Sequence, residues 1–128
     1  MARVLVVDDD AGVRDVLALT LEAEGLQVEP ASSGHAALLA LSRATAEGWM
    51  YDAMVLDIIM PGIDGWQVLE AVRANPLWHK MPVIVISGVT KSPKDIVRVS
   101  DYDSMFVEKQ GDFTAAVKSV LGRLTDAA

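Results

Sequence analysis

Three continuous apolar runs constrain this chain more than anything else in it: Val4-Leu5-Val6-Val7, Ala53-Met54-Val55-Leu56 and Val83-Ile84-Val85-Ile86. Each is too short for a helix, and the first and third are rich in β-branched residues. A strand with one wet face alternates apolar and polar side chains. A strand apolar throughout needs cover on both faces, which is the condition of a central strand in a parallel sheet. All three runs stop on a polar residue: Asp8, Asp57 and Ser87 respectively. A carboxylate at the end of a buried strand is costly unless it is paired or solvated. Open parallel sheets place their binding crevice at that edge, which makes Asp57 the first candidate reactive group.

Between the runs the period becomes helical. Val13, Val16, Leu17, Thr20 and Leu21 share one face, with Asp10 as N-cap and Gly25 at a left-handed C-cap position. Leu26 to Glu29 alternates, as a half-exposed edge strand does. Ser32-Ser33-Gly34 opens a second helix with Ala37, Leu38 and Leu41 inward, fading through Thr45 to Gly48. Asp64 caps a third helix carrying Val68, Leu69 and Val72, which stops before Asn75-Pro76. Ser92-Pro93-Lys94-Asp95 starts a short fourth helix with only Ile96, Val97 and Val99 apolar. Met105 to Val107 is a short strand, and Phe113, Val117, Val120, Leu121 and Leu124 mark a last helix capped by Asp112.

Five strand–helix repeats imply a parallel sheet with helices on both faces. The amphipathic second strand and the short fifth belong at the edges. The predicted fold is therefore α/β and flavodoxin-like, with five strands in the order 2-1-3-4-5. Residues 1–124 form one domain, 125–128 a short frayed tail, and no output domain is visible. At 128 residues and 52% hydrophobic content, the chain can bury a core. No apolar run approaches the roughly 18 residues of a membrane span. Without cysteine there is neither disulfide nor thiolate metal site, and a net charge of -7 argues against direct nucleic-acid binding. A cytoplasmic protein is the simplest expectation.

The polar strand ends line up on one edge: Asp8-Asp9-Asp10 after the first strand, Asp57 after the third, Ser87 after the fourth and Lys109 after the fifth. Carboxylates crowded in one crevice raise each other's pKa. A divalent cation relieves the conflict, and oxygen donors without cysteine or clustered histidine suit Mg²⁺. Mg²⁺ completes its shell with phosphate oxygens, so the edge suits phosphoryl chemistry, with Asp57 as nucleophile. Lys109 and the metal would neutralise the transferring group, and Ser87 would donate to it once bound. The Pro61-Gly62 turn leaves Asp57 open to its donor.

These residues, from Arg3 to about Leu124, resemble the CheY-like receiver domain of two-component response regulators. The family's acidic pair matches Asp8 and Asp9. Its phosphoacceptor context, D-x-x-M-P-G-x-D-G, matches Asp57 through Gly65 without a gap; its hydroxyl residue matches Ser87 and its lysine Lys109. The resemblance implies that Asp9, Asp57 and the main-chain carbonyl of Ile59 bind Mg²⁺ directly, with Asp8 acting mainly through water. It implies a phosphoryl group taken from a phosphohistidine on a sensor histidine kinase or phosphotransfer protein. Ser87 and Phe106 would then switch the face made by the fourth helix, fifth strand and fifth helix toward a downstream protein target. The domain would catalyse its own phosphorylation and dephosphorylation without being an enzyme on a separate substrate. Two departures stand out. Gln110 replaces the proline usual after the lysine, where the family often has a cis peptide bond, so the sequence leaves that bond open between cis and trans and does not fix the reach of Lys109. Phe106 replaces the frequent tyrosine. Apolar Ile59 and Val89 are expected to shield a bound phosphoryl group from water, giving it a comparatively long life.

The main rival is a receiver-like protein-binding module that is never phosphorylated. A flavodoxin-like cofactor protein is disfavoured, because Asp8-Asp9-Asp10 repels a phosphate and no G-x-G-x-x-G is present. An aspartate-nucleophile phosphatase wants a second acid where Ile59 stands. Trp49, Trp66 and Trp78 read as packing anchors, with Trp78 beside Pro76 also compatible with the surface. His35 and His79 share no ligand spacing and are expected to be exposed.

Overall fold

The computed structural model describes residues 2–88 and 104–125. The elements are β1 (Arg3–Val7), α1 (Ala11–Glu22), β2 (Gln27–Ala31), α2 (Gly34–Glu47), β3 (Ala53–Asp57), α3 (Gly65–Ala74), β4 (Val83–Ser87), β5 (Met105–Glu108) and α4 (Phe113–Thr125). The expected helix from Ser92 and the last residues of the tail lie outside the described residues, as does Val89. The sheet is parallel throughout, in the order β2-β1-β3-β4-β5. The amphipathic and the short strands are the two edges, as their patterns require.

The continuous runs are apolar because alternate residues serve opposite cores. Leu5, Val7, Met54, Leu56 and Val85 pack on one face with Ala37 and Leu41 of α2 and Val68, Leu69 and Val72 of α3. Val4, Val6, Ala53, Val55, Ile84 and Ile86 pack on the other with Leu17 and Leu21 of α1 and Val117, Val120 and Leu121 of α4. Each such Val, Leu or Ile side chain, fully buried, contributes about 1.5–3 kcal/mol. Trp78 is a packing anchor rather than a surface residue: it is buried, and its Nε1 donates to Thr45 Oγ1 at 2.8 Å. Both histidines are exposed. Among the described residues no helix is long and apolar enough to cross a membrane.

Local chemistry sets the helix ends. Asp10 Oδ1 accepts from Gly12 N at 2.8 Å and Val13 N at 3.3 Å. Ser33 caps α2, and Asp112 Oδ1 accepts from Ala115 N at 3.4 Å at the start of α4. Asp64 makes a full capping box with Gln67 before α3. Two ends differ from the sequence reading. Helix α2 does not fade: it runs to Glu47 and closes on Gly48, whose φ of 84° a residue with a Cβ rarely adopts. The cap of α1 is Ala23, and Gly25 closes the following turn.

Two other glycines are required by space. A Cβ on Gly65 would lie 2.2 Å from the carbonyl oxygen of Asp57, and one on Gly34 2.4 Å from that of Ile63. Both values are well inside van der Waals contact, so α3 and α2 start hard against the segment that follows β3.

Candidate functional site

The C-terminal edge gathers the predicted groups from four strand ends. The β1–β3 register sets Val7 beside Leu56, so Asp8 and Asp57 leave the sheet as neighbours. Strand β4 sets Ile86 beside Asp57, and β5 sets Glu108 beside Ser87. Lys109 N donates to the Ser87 carbonyl at 2.8 Å, which starts the lysine side chain over the edge. Among the described residues no peptide bond is cis, so Lys109–Gln110 is trans, and the lysine reaches the acids. Its Nζ lies 2.6 Å from Asp8 Oδ2 and 3.4 Å from Asp57 Oδ2.

The lysine therefore binds Asp8 more closely than the candidate nucleophile. Asp8 is fully buried, and every polar atom it has is engaged. Its N donates to Ala31 O at 3.1 Å, and its Oδ1 accepts from Asp10 N at 2.9 Å. Its carbonyl accepts from Arg14 Nη1 at 2.7 Å. Its Oδ2 has the ammonium and no other donor among the described residues.

Asp57 is 3% exposed, so it is less open than the turn after it suggested. Its Oδ1 accepts from Ile59 N at 3.2 Å. Burial, and after it the neighbouring Asp8, push its carboxyl up from 3.8 to about 6, against the pull of Lys109. Crowding of acids was the expected cause; loss of water is the larger one. For Lys109, burial favours the neutral amine, but contact with Asp8 and Asp57 outweighs it and the net shift is upward.

One carboxylate oxygen each from Asp8, Asp9 and Asp57 lies within 4.8 Å of the others, with Asp9 exposed at the mouth. The donor set is all carboxylate, and one buried oxygen of it is satisfied only by a displaceable ammonium. That set fits a hard divalent cation. Ser87 is buried at the end of β4, and Phe106 is half-buried in β5 opposite Val85. The register sets Ser87 at this edge and Phe106 two residues before the end of β5, against the core. Ile59 is 56% exposed at the rim.

Arg14 was not anticipated from the sequence. A signal was present: a cation in the first turn of α1 opposes the helix dipole, so helix stability does not explain it.

Fold and site together define an acidic pocket at the C-terminal edge of a doubly wound parallel sheet. Residues 4–120 match the response regulator receiver domain, and the chain belongs to that family. It is 36% identical over 86 residues to the transcriptional regulatory protein TcrA of Mycobacterium tuberculosis, covering 67% of this chain and 31% of TcrA. It is 31% identical over 127 residues to the transcriptional regulatory protein AfsQ1 of Streptomyces coelicolor, covering 99% of this chain and 49% of AfsQ1. The chain thus spans a third to a half of the length of these curated relatives. Among solved structures, the chemotaxis response regulator CheY4 of Vibrio cholerae superposes with a TM-score of 0.79 at 28% identity, covering 97% of this chain and 98% of that one. The signal receiver domain of a signal transduction histidine kinase from Syntrophus aciditrophicus gives a TM-score of 0.84 at 25% identity, covering 100% and 92%.

Proposed function

We propose that this receiver domain takes a phosphoryl group onto Asp57 from a phosphohistidine on a sensor kinase or phosphotransfer protein. The observation that carries this reading is the Asp57 carboxylate held 3.4 Å from Lys109 Nζ inside a three-aspartate pocket. An Asp57 carboxylate oxygen attacks phosphorus, the P–N bond breaks, and its electron pair leaves with the imidazole, which is protonated from water. The product is an acyl phosphate on Asp57 and a free histidine. Lys109 sits where it can hold the charge on the phosphoryl oxygens. Asp8, Asp9, Asp57 and the Ile59 carbonyl are the groups that would hold Mg²⁺, which when bound supplies charge neutralisation to the same oxygens. The reaction is a modification of the chain itself rather than turnover of a second substrate. Ser87 at the end of β4 and Phe106 within β5 are the residues through which a population shift would reach a downstream protein. Ile59 offers no group to orient water, so the acyl phosphate is expected to outlast seconds.

Acetyl phosphate with Mg²⁺, followed by intact mass, tests the reading. The parent is expected to gain one phosphate and Asp57→Asn none. No gain in the parent, or the same gain in the variant, would leave the binding-module reading standing in its place.

A further inference from the structure

Arg14 is the one cation whose position α1 itself disfavours. It lies in the helix's first turn, where the macrodipole repels positive charge. Its Nη1 is spent on a carbonyl, that of Asp8 at 2.7 Å. No carboxylate within ion-pair distance of it is found among the described residues, although Asp8, Asp9 and Asp10 all stand just before its helix. The carbonyl it holds belongs to the peptide plane that leads from Asp8 into Asp9. Fixing that plane fixes the direction in which Asp9 leaves the strand, and with it the spacing of the two acids.

We infer that Arg14 is a positioning residue for a divalent cation in the Asp8–Asp9–Asp57 pocket, acting through the Asp8 carbonyl. The inference rests on the metal-dependent reading above. The planar group holds the acidic turn in its ligating shape before the cation arrives, as outer partners of metal ligands do elsewhere.

Two physical effects make opposite demands on the outcome. If Arg14 acts only by its charge, removing it takes a repulsive cation away from the pocket, and Mg²⁺ binds more tightly. If it acts by holding the turn, removing it weakens binding. Arg14→Met keeps the unbranched stem and the helix propensity while removing every donor. Arg14→Lys keeps one donor able to reach a carbonyl.

The measurement is calorimetric titration with MgCl₂ alone, with no phosphodonor, on the full chain after chelator treatment. Circular dichroism of the metal-free proteins confirms that each variant is folded. Arg14→Met is expected to weaken Mg²⁺ about 10-fold, and Arg14→Lys to recover most of that. Unchanged or tighter binding in Arg14→Met overturns the inference. So does equal loss in both variants, or a parent that binds no Mg²⁺. The phosphoryl reading is judged separately by mass gain. If the parent gains no phosphate while the Mg²⁺ affinities fall in the expected order, that reading fails and this inference stands. If Arg14→Met binds Mg²⁺ like a phosphorylatable parent, the reverse holds.

Discussion

Two cations mark opposite ends of the sheet, and they are held in opposite ways. Arg3 opens β1 at the far end: its guanidinium lies 4.3 Å above the Trp49 ring, and its Nε donates to Gln27 Oε1 at 3.1 Å. These partners are uncharged, the residue is exposed, and the arrangement is complete in itself. Lys109, with a side chain 18% exposed, stands instead between two buried carboxylates, with Asp9 near them. One ammonium cannot neutralise three acids. The first end is closed with weak, satisfied contacts. The second is held short of balance, which is the state a site for a cation and a phosphoryl group needs. The unbalanced charge is confined to one end of the sheet.

The contrast breaks most severely at Lys109. Lys109→Ala leaves Asp8 buried without its partner, and losing one member of a buried pair costs about 3–5 kcal/mol. Chemical denaturation of the metal-free protein at neutral pH is expected to show that loss. Phosphorylation by acetyl phosphate is expected to fall about 10²–10³-fold, as when an oxyanion donor is removed. A full rate in a folded Lys109→Ala would place the neutralising charge elsewhere.

The next effect is one of pH. Asp57 has a folded pKa of about 6 against 3.8 for the free group, so between those values the folded state binds the extra proton. Stability of the metal-free protein is therefore expected to rise as pH falls from 7 toward 4, by about 2 kcal/mol from this group alone. Lys109, shifted upward from 10.5, stays protonated in both states across that window and adds no slope there. Denaturation curves across the range check this, and Asp57→Asn is expected to flatten them. A slope of the opposite sign would mean that Lys109, not burial, dominates the carboxyl.

The smallest effect belongs to the other end. Arg3→Ala removes a surface cation–π contact and is expected to cost about 0.5–1 kcal/mol in thermal denaturation. Phosphorylation should be unchanged. A change in rate would show that the two ends are coupled.

What could be read from the residues follows from what pattern can encode. Apolar runs without alternation showed the sheet and its central strands, since only cover on both faces permits them. Asp8, Asp9, Asp57, Ser87 and Lys109 could be placed at one edge because a strand's end is a one-dimensional fact, and parallel strands turn it into a spatial one. Distances between side chains are not of that kind. That Lys109 approaches Asp8 more closely than Asp57 depends on where its stem leaves the turn after β5. That burial outweighs charge crowding at Asp57 depends on how fully the edge closes. Arg14 was passed over because a helix-face pattern records which residues are apolar and takes no account of a polar one reaching back to the turn before it. Gly34 and Gly65 read as helix starts, whereas their role is to have no side chain where backbones meet.

Those two glycines decide the mechanics of the edge. The segment from Ile58 to Asp64 is held at its start by the backbone of α3, at Gly65, and near its end by that of α2, where Gly34 meets the Ile63 carbonyl. Such a joint is stiff, and moving one helix means moving the other. A load placed on Asp57 finds no slack in that direction. Across the ladder the same residue is paired with Ile86 of β4, and Ser87 comes next.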